Sequence, residues 1–338
     1  RLVRVAVGPI NLGDLAPGEV VSGAWRAARE LPGLTELLLV GREDAIRAAF
    51  PPGETPPPNL RIIPAAEVIG MEESPATAVR RKRDSSINRM ADLVKNGEAD
   101  AMFSAGNTGA MVAAATLKLR TLHGVLRPAI ATVMPTRRTP FVLIDAGANT
   151  DSTPAMLRQF AVMGSVYARE ILGIAKPLVG VLSIGGEESK GNEVTRETLA
   201  LLRESPGIHF HGNVEGHDLY EGRVDVVVCD GFVGNVVLKT SESVAHFLGE
   251  WLRQEFTRNP LRMLGAALLR GALAEIRRKS DPAAYGGAPL LGANGVCIIG
   301  HGASKAKAIY NAIRFAGEAV AHRINPLIVA EIAGAEAV

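Results

Sequence analysis

A run of small and polar residues, Ser104–Ala110 (SAGNTGA), has the composition of a seat for a phosphate or an oxyanion. It lies between a short apolar segment, Ala99–Phe103, and an alanine-rich helical pattern, Met111–Arg120. Glycine lets the backbone approach a ligand closely, and the free N–H groups at the start of a helix attract negative charge. The same residues also fit an ordinary helix N-cap. The residues predicted to bind phosphate are Ser104, Gly106, Asn107, Thr108 and Gly109.

Four further polar segments each follow an apolar run and contain glycine together with asparagine or acidic residues. They are Val142–Asp151 (VLIDAGANTD), Leu182–Glu193 (LSIGGEESKGNE), Phe210–Asp218 (FHGNVEGHD) and Val228–Lys239 (VCDGFVGNVVLK). In open α/β sheets, loops at the carboxyl ends of the strands converge on a ligand. We therefore expect all five segments to form one composite site.

The composition excludes several classes of protein. The chain has 338 residues, of which 47% are hydrophobic and 21% charged, which is typical of a globular protein with a sizeable core. A net charge of +2 gives no reason to expect a nucleic-acid partner. The sequence shows neither a signal pattern at its start nor an apolar run of the ~18 residues that a membrane span needs. We expect a cytoplasmic protein.

The residues that commonly bind metals are sparse and scattered. Cys229 and Cys297 each lie within an apolar run, which predicts buried thiols rather than a disulfide or a metal site. The seven histidines show no spacing typical of metal ligands. The sequence therefore predicts no metal and no cofactor.

The elements that must position the polar loops alternate between apolar runs and helical patterns. Most of the apolar runs are continuous in Val, Ile and Leu, as in strands that are covered on both faces. Alternation of strands and helices predicts an α/β fold, a three-layer α/β/α sandwich with a mostly parallel sheet. The tight connection in Val133–Phe141 (VMPTRRTPF) predicts that part of the sheet is antiparallel. No linker divides the chain, so we expect a single domain over residues 1–338.

Two adjacent helical patterns, Val233–Phe256 and Leu261–Lys279, are predicted to form a helical excursion from the sandwich at about residues 240–280. In the second pattern, apolar residues at helical spacing lie beside several arginines. This pattern suits a membrane interface and a dimer-packing helix equally well. The residues predicted to make that contact are Leu261, Leu264, Leu268 and Ile276.

The order of several motifs closely resembles one known family. The motifs are SAGNTGA, PAIATVMPT, DAGANTD, QFAVMGSVYA, SIGGEESKGNE, GNVEGHD, CDGFVGNVVLKT, YGGAPLLG and the HGAS run at His301–Ser304. Together they resemble the phosphate acyltransferases known as PlsX, from about Val20 to about Glu318. CDGFVGNVVLKT and SIGGEESKGNE are long and specific motifs. Each loop alone is weak evidence for a functional site, and the resemblance strengthens that interpretation.

The resemblance implies a fold similar to that of phosphotransacetylases and isocitrate dehydrogenases. It implies transfer of a fatty acyl group from the thioester of acyl carrier protein to inorganic phosphate. The product is an acyl phosphate for phospholipid synthesis. Members of the family are homodimers, and some bind peripherally to the membrane, which here would be the inner face of the plasma membrane.

The start of the chain departs from the family pattern. The family begins with a strand followed by a DAMGGD-type loop, whereas this chain reads VRVAVGPINLGDLAP over residues 3–17. Gly8 stands at the position of the first Asp, and Asp14 matches the second Asp after a loop that is about one residue longer. This departure puts the role of the first Asp in doubt for this chain.

The expected reaction is attack of phosphate on a thioester carbonyl. No G-x-S-x-G elbow and no Ser-His-Asp arrangement is visible, so we expect direct transfer in a ternary complex rather than an acyl-enzyme. Lys190 is predicted to supply positive charge, or else to be a solvated loop lysine. Asn235 is predicted to donate to the acyl carbonyl, or else to belong to a helix cap. Asp230 is predicted to orient Lys190 or Asn235, or else to be a capping residue.

Other polar residues of the loops are expected to have structural roles. A turn-forming role is favoured over catalysis for the asparagines and Glu215. For His301 a structural hydrogen bond is favoured over general acid catalysis toward the leaving thiolate. The residues predicted to shape the loops are Asn149, Asn192, Asn213, Glu215 and His301.

Several alternatives remain open at this point. The basic run Arg80–Arg83 (RRKR) suits either the acidic surface of acyl carrier protein or a solvated helix face. An α/β dehydrogenase lacks support, because no G-x-G-x-x-G follows the first apolar run. A phosphotransacetylase that uses coenzyme A thioesters would share the same phosphate seat. A non-catalytic scaffold recruited to the membrane is the third alternative, since the first loop is altered.

Overall fold

The fold is an eleven-stranded mixed sheet with helices packed on both faces. The computed structural model describes residues 3–8, 17–279 and 286–336. The strands are β1 Val3–Gly8, β2 Leu34–Gly41, β3 Leu60–Pro64, β4 Ala101–Ser104, β5 Ala129–Met134, β6 Phe141–Ile144, β7 Leu178–Leu182, β8 His209–Val214, β9 Val226–Val228, β10 Ala288–Leu291 and β11 Val296–Ile299.

The helices follow the strands in the alternation that the sequence predicts. They are α1 Gly18–Glu30, α2 Glu43–Ala48, α3 Pro75–Arg81, α4 Ser86–Lys95, α5 Thr108–Ala114, α6 Pro154–Leu172, α7 Glu193–Arg203, α8 Gly231–Thr257, α9 Pro260–Leu268, α10 Arg270–Lys279, α11 Ala306–Ala321 and α12 Ile324–Glu336. A π-helical turn, Ala115–Leu119, extends α5.

The order of the strands across the sheet is β3-β2-β1-β4-β11-β10-β5-β6-β9-β7-β8. The first five strands are parallel to one another, and the last four are also parallel to one another. Between these blocks, β10 is antiparallel to both of its neighbours, and β5 is antiparallel to β6. Three reversals separate the blocks, so the strands of one block run opposite to those of the other.

Side chains alternate between the two faces of each strand, and each face has its own apolar cluster. In β1, Val5 and Val7 pack on the face that is covered by α1, α6, α11 and α12. Ala6 packs on the opposite face, under α3, α4 and α5. A third cluster, around Phe141 and Val227, lies beneath the later strands. Both faces are thus covered, which confirms the predicted three-layer α/β/α sandwich and its mixed sheet.

The apolar runs and helical patterns of the sequence predict ten strands and nine helices, and three of the strands and α-helices of the structure are not among them. The strand β10 is only four residues long, contains Pro289 and is flanked by glycines, all of which weaken the local signal for a strand. The helices α3 and α12 were also missed. The predicted helix Leu261–Lys279 is divided at Leu269 into α9 and α10.

The helical excursion extends away from the sandwich. The helix α8 has 27 residues, and only Gly231 and Gly234 at its start are buried. The helix α9 has no buried residue. Its apolar side chains face solvent, with Leu261 78% and Leu268 81% exposed. In the parts of the chain that the structure describes, every helix is too short or too polar to cross a membrane.

Candidate functional site

The polar loops lie at two ends of the sheet, because the two blocks of strands run in opposite directions. At one end, which we call the seat end, Ser104–Gly109 follows β4 and Gly300–Ser304 follows β11. At the other, the lysine end, Asp145–Asn149 follows β6, Asp230–Asn235 follows β9 and Ser183–Asn192 follows β7, beside the loop after β8. Four of the five polar segments therefore lie at the lysine end, and Ser104–Ala110 lies at the seat end, so the strand directions alone do not bring all five together.

At the seat end, the main chain turns sharply after β4. The Ser104 side chain is buried, and its Oγ accepts a hydrogen bond from the backbone N–H of Gly106 at 3.2 Å. Gly109 is required by packing, since a Cβ there would lie 2.6 Å from Cγ of Pro75 in α3. Thr108 is exposed at the first position of α5. The loop thus presents Thr108 to solvent, while Ser104–Asn107 are buried and Ser104 and Gly109 maintain its shape.

Asn107 is a buried structural link rather than a free donor. Its Oδ1 accepts a hydrogen bond from the backbone N–H of Ala110 at 2.9 Å and so caps α5. Its Nδ2 donates to the carbonyls of Gly70 at 3.0 Å and Met71 at 3.2 Å. Both ends of the amide are used within the protein. A phosphate could take a hydrogen bond from this side chain only by displacing the loop that precedes α3.

That loop is held by a carboxylate and a lysine. Oε1 of Glu73 accepts hydrogen bonds from the backbone N–H of Gly70 at 2.7 Å and from Nζ of Lys82 at 2.5 Å. Nζ of Lys82 also donates to the carbonyl of Val68 at 2.7 Å. The hydrogen bond from Lys82, with a smaller contribution from Gly70, holds the pKa of Glu73 below its ordinary value. The basic run therefore contributes Lys82 to structure, while Arg80 and Arg83 are exposed.

Two neighbouring strands end beside the seat. The carbonyl of Ser104 accepts a hydrogen bond from the backbone N–H of Gly300 at 2.7 Å, which joins the HGAS run to the seat. His301 is exposed, and its Nδ1 accepts a hydrogen bond from the backbone N–H of Ala303 at 3.2 Å. On the other side, Gly8 is paired with Ser104. A Cβ at Gly8 would lie 2.8 Å from the carbonyl oxygen of Val40, so a side chain there requires the backbone to move.

The altered loop itself, including Asp14, lies outside the described residues.

At the lysine end, a fully buried carboxylate organises the loop after β6. Oδ1 of Asp145 accepts hydrogen bonds from the backbone N–H groups of Ile130, Gly147 and Ala148, at 2.9–3.0 Å. Its Oδ2 accepts two from Asn149, one from the backbone N–H at 2.7 Å and one from Nδ2 at 2.9 Å. Burial raises the pKa of Asp145, while these hydrogen bonds act in the opposite direction. The sequence analysis did not select Asp145, although an Asp directly after an apolar strand was visible in DAGANTD.

The first turn of α8 packs directly on this loop. The backbone N–H of Gly231 donates to the carbonyl of Asn149 at 2.7 Å. Asn235 is exposed on α8 and lies over Gly147, where an ideal Cβ would be 3.4 Å from Cβ of Asn235. Oδ1 of Asp230 accepts a hydrogen bond from the backbone N–H of Val233 at 2.9 Å, as an N-cap does. Within the described chain, this cap is the side-chain contact that Asp230 makes, rather than one to Lys190 or Asn235.

The loop of Lys190 is held by residues of the next strand. Nδ2 of Asn213 donates to the carbonyl of Glu187 at 2.8 Å and to that of Lys190 at 3.5 Å. Oε1 of Glu215 accepts a hydrogen bond from the backbone N–H of Gly186 at 2.9 Å. Asn192 caps α7 through the backbone N–H of Thr195. The Lys190 side chain is exposed, and among the described residues its ammonium has no carboxylate partner.

The thiols of both cysteines are buried. Burial raises the pKa of the Cys229 thiol well above its ordinary value, and Sγ lies 3.6 Å from the carbonyl oxygen of Asp145. Burial also raises the pKa of the Cys297 thiol to about 12. Neither thiol is a thiolate at neutral pH. Over the described ranges, no three His, Cys, Asp or Glu side chains are grouped in a way that could hold a metal ion.

Comparison with solved structures defines the class of fold. A phosphotransacetylase from Streptococcus pyogenes matches with a TM-score of 0.60 at 19% identity, over 95% of this chain and 94% of that one. A branched-chain phosphotransacylase from Enterococcus faecalis V583 matches with a TM-score of 0.57 at 14% identity, over 94% of this chain and 99% of that one. At these identities the likeness concerns the fold alone, which is of the phosphotransacetylase type.

Comparison of sequences is more specific. Residues 3–326 match the family described as "Fatty acid synthesis protein". A relative from Desulfitobacterium hafniense named "Phosphate acyltransferase" is 51% identical, over 94% of both chains. One of the same name from Nostoc punctiforme is 49% identical, over 95% of this chain and 94% of that one. The chain therefore belongs to this family, which is the PlsX family of acyltransferases, and it is an acyltransferase.

Proposed function

We propose that the protein transfers a fatty acyl group from the thioester of acyl carrier protein to inorganic phosphate. The observation that carries the proposal is the identity of about half of the residues, over nearly the full length of relatives named "Phosphate acyltransferase". Lys190 and Asn235 support it because both are exposed at the same end of the sheet. Lys190 lies on a loop that Asn213 holds, and Asn235 lies on α8 over the loop that Asp145 holds.

The proposed reaction is a direct transfer. A phosphate oxygen attacks the carbonyl carbon of the thioester, a C–O bond forms, and the C–S bond breaks. The thiolate leaves with the bonding electron pair and takes a proton from solvent. Cys229 and Cys297 are buried and protonated, which argues against either of them as a nucleophile that would carry the acyl group. Positioning of an already anionic nucleophile then supplies much of the rate.

In this mechanism Lys190 neutralises charge on the attacking phosphate. Asn235 donates its side-chain amide to the oxygen that becomes negative in the transition state. The start of α8 adds a favourable dipole, since Asn235 is the fifth residue of this helix and lies close to its N-terminus. Asp230 caps the helix and so contributes indirectly.

The seat end is proposed as a second anion site, held by Thr108 and the backbone of Ser104–Gly109. Ala110 and Met111, at the start of α5, belong to the same apolar cluster as Ala146 in the loop after β6. A role for the seat in the same reaction requires that a bound ligand connects the two ends. Replacement of Thr108 by Ala tests it, because a raised KM for phosphate supports the role and an unchanged KM removes it.

The exposed face of the excursion is proposed to contact either a second copy of this chain, as a homodimer, or the surface of a membrane. Leu261, Leu264, Leu268 and Ile276 are all exposed there. Contiguous exposed apolar surface of this kind is rare in monomers. The variant with Leu264→Asp and Leu268→Asp tests both alternatives. Loss of flotation with anionic liposomes indicates a membrane, and a halved mass in sedimentation indicates a dimer.

The proposed activity is tested with palmitoyl-acyl carrier protein and palmitoyl-coenzyme A, each with and without phosphate. Release of free thiol is measured together with acyl phosphate, which hydroxylamine traps as the hydroxamate. Phosphate-dependent formation of both products from the carrier-protein thioester supports the proposal. Activity with the coenzyme A thioester alone replaces it with a phosphotransacetylase. Inactivity with both substrates would favour the remaining alternative, a non-catalytic scaffold, which is consistent with the altered loop after Gly8.

A further inference from the structure

We propose that Asp145 is a positioning residue, which places Asn235 for catalysis by fixing the first turn of α8 on the loop Gly147–Asn149. This inference rests on the proposed function, since it takes Asn235 as the group that meets the acyl oxygen. Asp145 itself is fully buried beneath the loop. It therefore acts through Asn235 and not by contact with a substrate.

Asp145 determines the shape of the loop Gly147–Asn149 through several hydrogen bonds at once. Within five residues, its carboxylate accepts hydrogen bonds from three consecutive backbone N–H groups, those of Gly147, Ala148 and Asn149. A fourth, from Ile130 at the start of β5, attaches the loop to the sheet. Nδ2 of Asn149 joins the carboxylate to the carbonyl of Pro128. The loop therefore has one conformation that satisfies all of these donors.

This loop packs against the first turn of α8. The first residue of the helix, Gly231, donates its N–H to Asn149 and has no space for a side chain. A Cβ there would lie 2.5 Å from the carbonyl oxygen of Asn149 and 2.8 Å from Oδ2 of Asp145. At Gly234 a Cβ would lie 1.8 Å from the carbonyl oxygen of Asp145. The backbone of the first turn thus rests directly on Asp145 and Asn149.

The side chain of Asn235 lies over Gly147 of the same loop, with Cβ and Oδ1 3.4 and 3.5 Å from the ideal Cβ position of that glycine. The N–H of Gly147 is one of the donors to Oδ1 of Asp145. Both surfaces that fix the start of α8, Asn149 under Gly231 and Gly147 under Asn235, are therefore held by the same carboxylate. A shift of about 1 Å at a reacting group is enough to cost about 10²-fold in rate.

A double-mutant cycle tests the proposal in the full-length protein, with kcat and KM for acyl transfer measured in Asp145→Asn, Asn235→Ala and the combined variant. An amide at position 145 turns one acceptor oxygen into a donor that faces N–H groups. We expect Asp145→Asn to lower kcat about 10²-fold with little change in KM for phosphate. In the Asn235→Ala background, the same substitution should lower kcat by less than about threefold, because the group it positions is absent. Asp225→Asn is the control, since Asp225 accepts a backbone hydrogen bond from Leu178 at the other end of β9.

The outcomes are distinguishable. Full additivity of the two losses in kcat overturns the proposal and gives Asp145 a general structural role. An Asn235→Ala variant with the parental kcat overturns the catalytic role of Asn235, and the positioning role of Asp145 with it. If Asp145→Asn does not fold by circular dichroism, the cycle is run with Asn149→Ala, which removes only the Nδ2 hydrogen bonds. The same lack of additivity is then expected at a smaller loss in kcat, and additivity again overturns the proposal.

Discussion

The two ends of the sheet use polar residues in opposite ways. At the seat end, Asn107 has the sequence context of a phosphate ligand, but both ends of its amide bind the protein itself. At the lysine end, the buried side chains of Asp145 and Asn213 make hydrogen bonds with the backbone of two neighbouring loops. Lys190 and Asn235 are not needed for those hydrogen bonds and are exposed. A polar residue in a glycine-rich loop is therefore a ligand candidate only if other groups already satisfy the backbone around it.

The largest effects are expected from the exposed residues of the lysine end. Removal of Asn235 by Asn235→Ala should lower kcat about 10²–10³-fold, as for other lost oxyanion donors. Lys190→Ala should lower kcat/KM for phosphate by a similar factor, because charge neutralisation is lost. Steady-state kinetics with the carrier-protein thioester measures both.

Control variants for these two substitutions are available elsewhere on the surface of the protein. Thr240→Ala lies further along α8, and Lys176→Ala removes another exposed lysine. Both controls should keep the parental kinetics. Equal losses in a control and its partner variant would break the contrast between the two ends, since the lysine end would then be no more sensitive than the surface.

A large effect on stability, without a direct effect on chemistry, is expected at Gly109. A Cβ there meets Pro75 at 2.6 Å, so Gly109→Ala should lower the free energy of unfolding by about 1–3 kcal/mol through overpacking. Urea denaturation measures it. Gly317→Ala in α11 is the control, because a Cβ there meets nothing within 4 Å. That substitution should stabilise the protein by about 0.5–1 kcal/mol. If Gly109→Ala changes the free energy of unfolding by the same amount as Gly317→Ala, the structure around Pro75 relaxes without cost and the prediction is wrong.

An effect on stability of similar size separates the two functions of Asn107, as a helix cap and as a link to the loop before α3. Asn107→Ala removes a helix cap and two hydrogen bonds to the loop before α3, at a cost of about 1–3 kcal/mol. Asn192→Ala removes a cap of the same kind from α7, at a cost of about 1 kcal/mol. Thermal and urea denaturation of both variants measure the difference. If Asn192→Ala costs as much as Asn107→Ala, the loop hydrogen bonds contribute nothing.

The smallest effect concerns pH at the seat end. The pKa of Glu73 is lowered in the folded state, so its contribution to stability is present above its ordinary pKa of 4.5. That contribution is lost as the pH falls below 4.5 through the folded-state value. We expect Glu73→Gln to be less stable than the parent at neutral pH and equal to it in strong acid. Urea midpoints between neutral and acid pH measure the difference, with exposed Glu72→Gln as the control. A difference that does not depend on pH would exclude the Lys82 pair as its source.

Local sequence predicts the elements of this fold better than their directions. The sequence predicts ten of the eleven strands, most of them from continuous apolar runs, because burial on both faces leaves a strong signal. Four-residue β10 leaves almost none, and the direction of β6 relative to β4 depends on β10 and β5. The separation of the seat end from the lysine end therefore could not be derived from the apolar pattern.

In the candidate site, too, the local sequence predicts some side-chain contacts and not others. The cap at Asp230 was among the alternatives that its position before a helix suggests. The contacts of Asn107 with Gly70 and Met71 span more than thirty residues of sequence, and no local pattern reveals them. Asp145 was overlooked because one Asp after a strand resembles any turn residue until its five donors are seen together.

The position of β10 and β11 has a consequence for the order of assembly. In the sheet, β4 and β5 are separated by these two strands, although β4 and β5 are successive along the chain and β10 begins only at Ala288. Until β10 and β11 emerge from the ribosome, β4 and β5 each have an edge of unpaired backbone N–H and C=O groups. Closure of the sheet is thus a late event of high contact order, and a nascent chain stalled before Ala288 should be a strong client for chaperones.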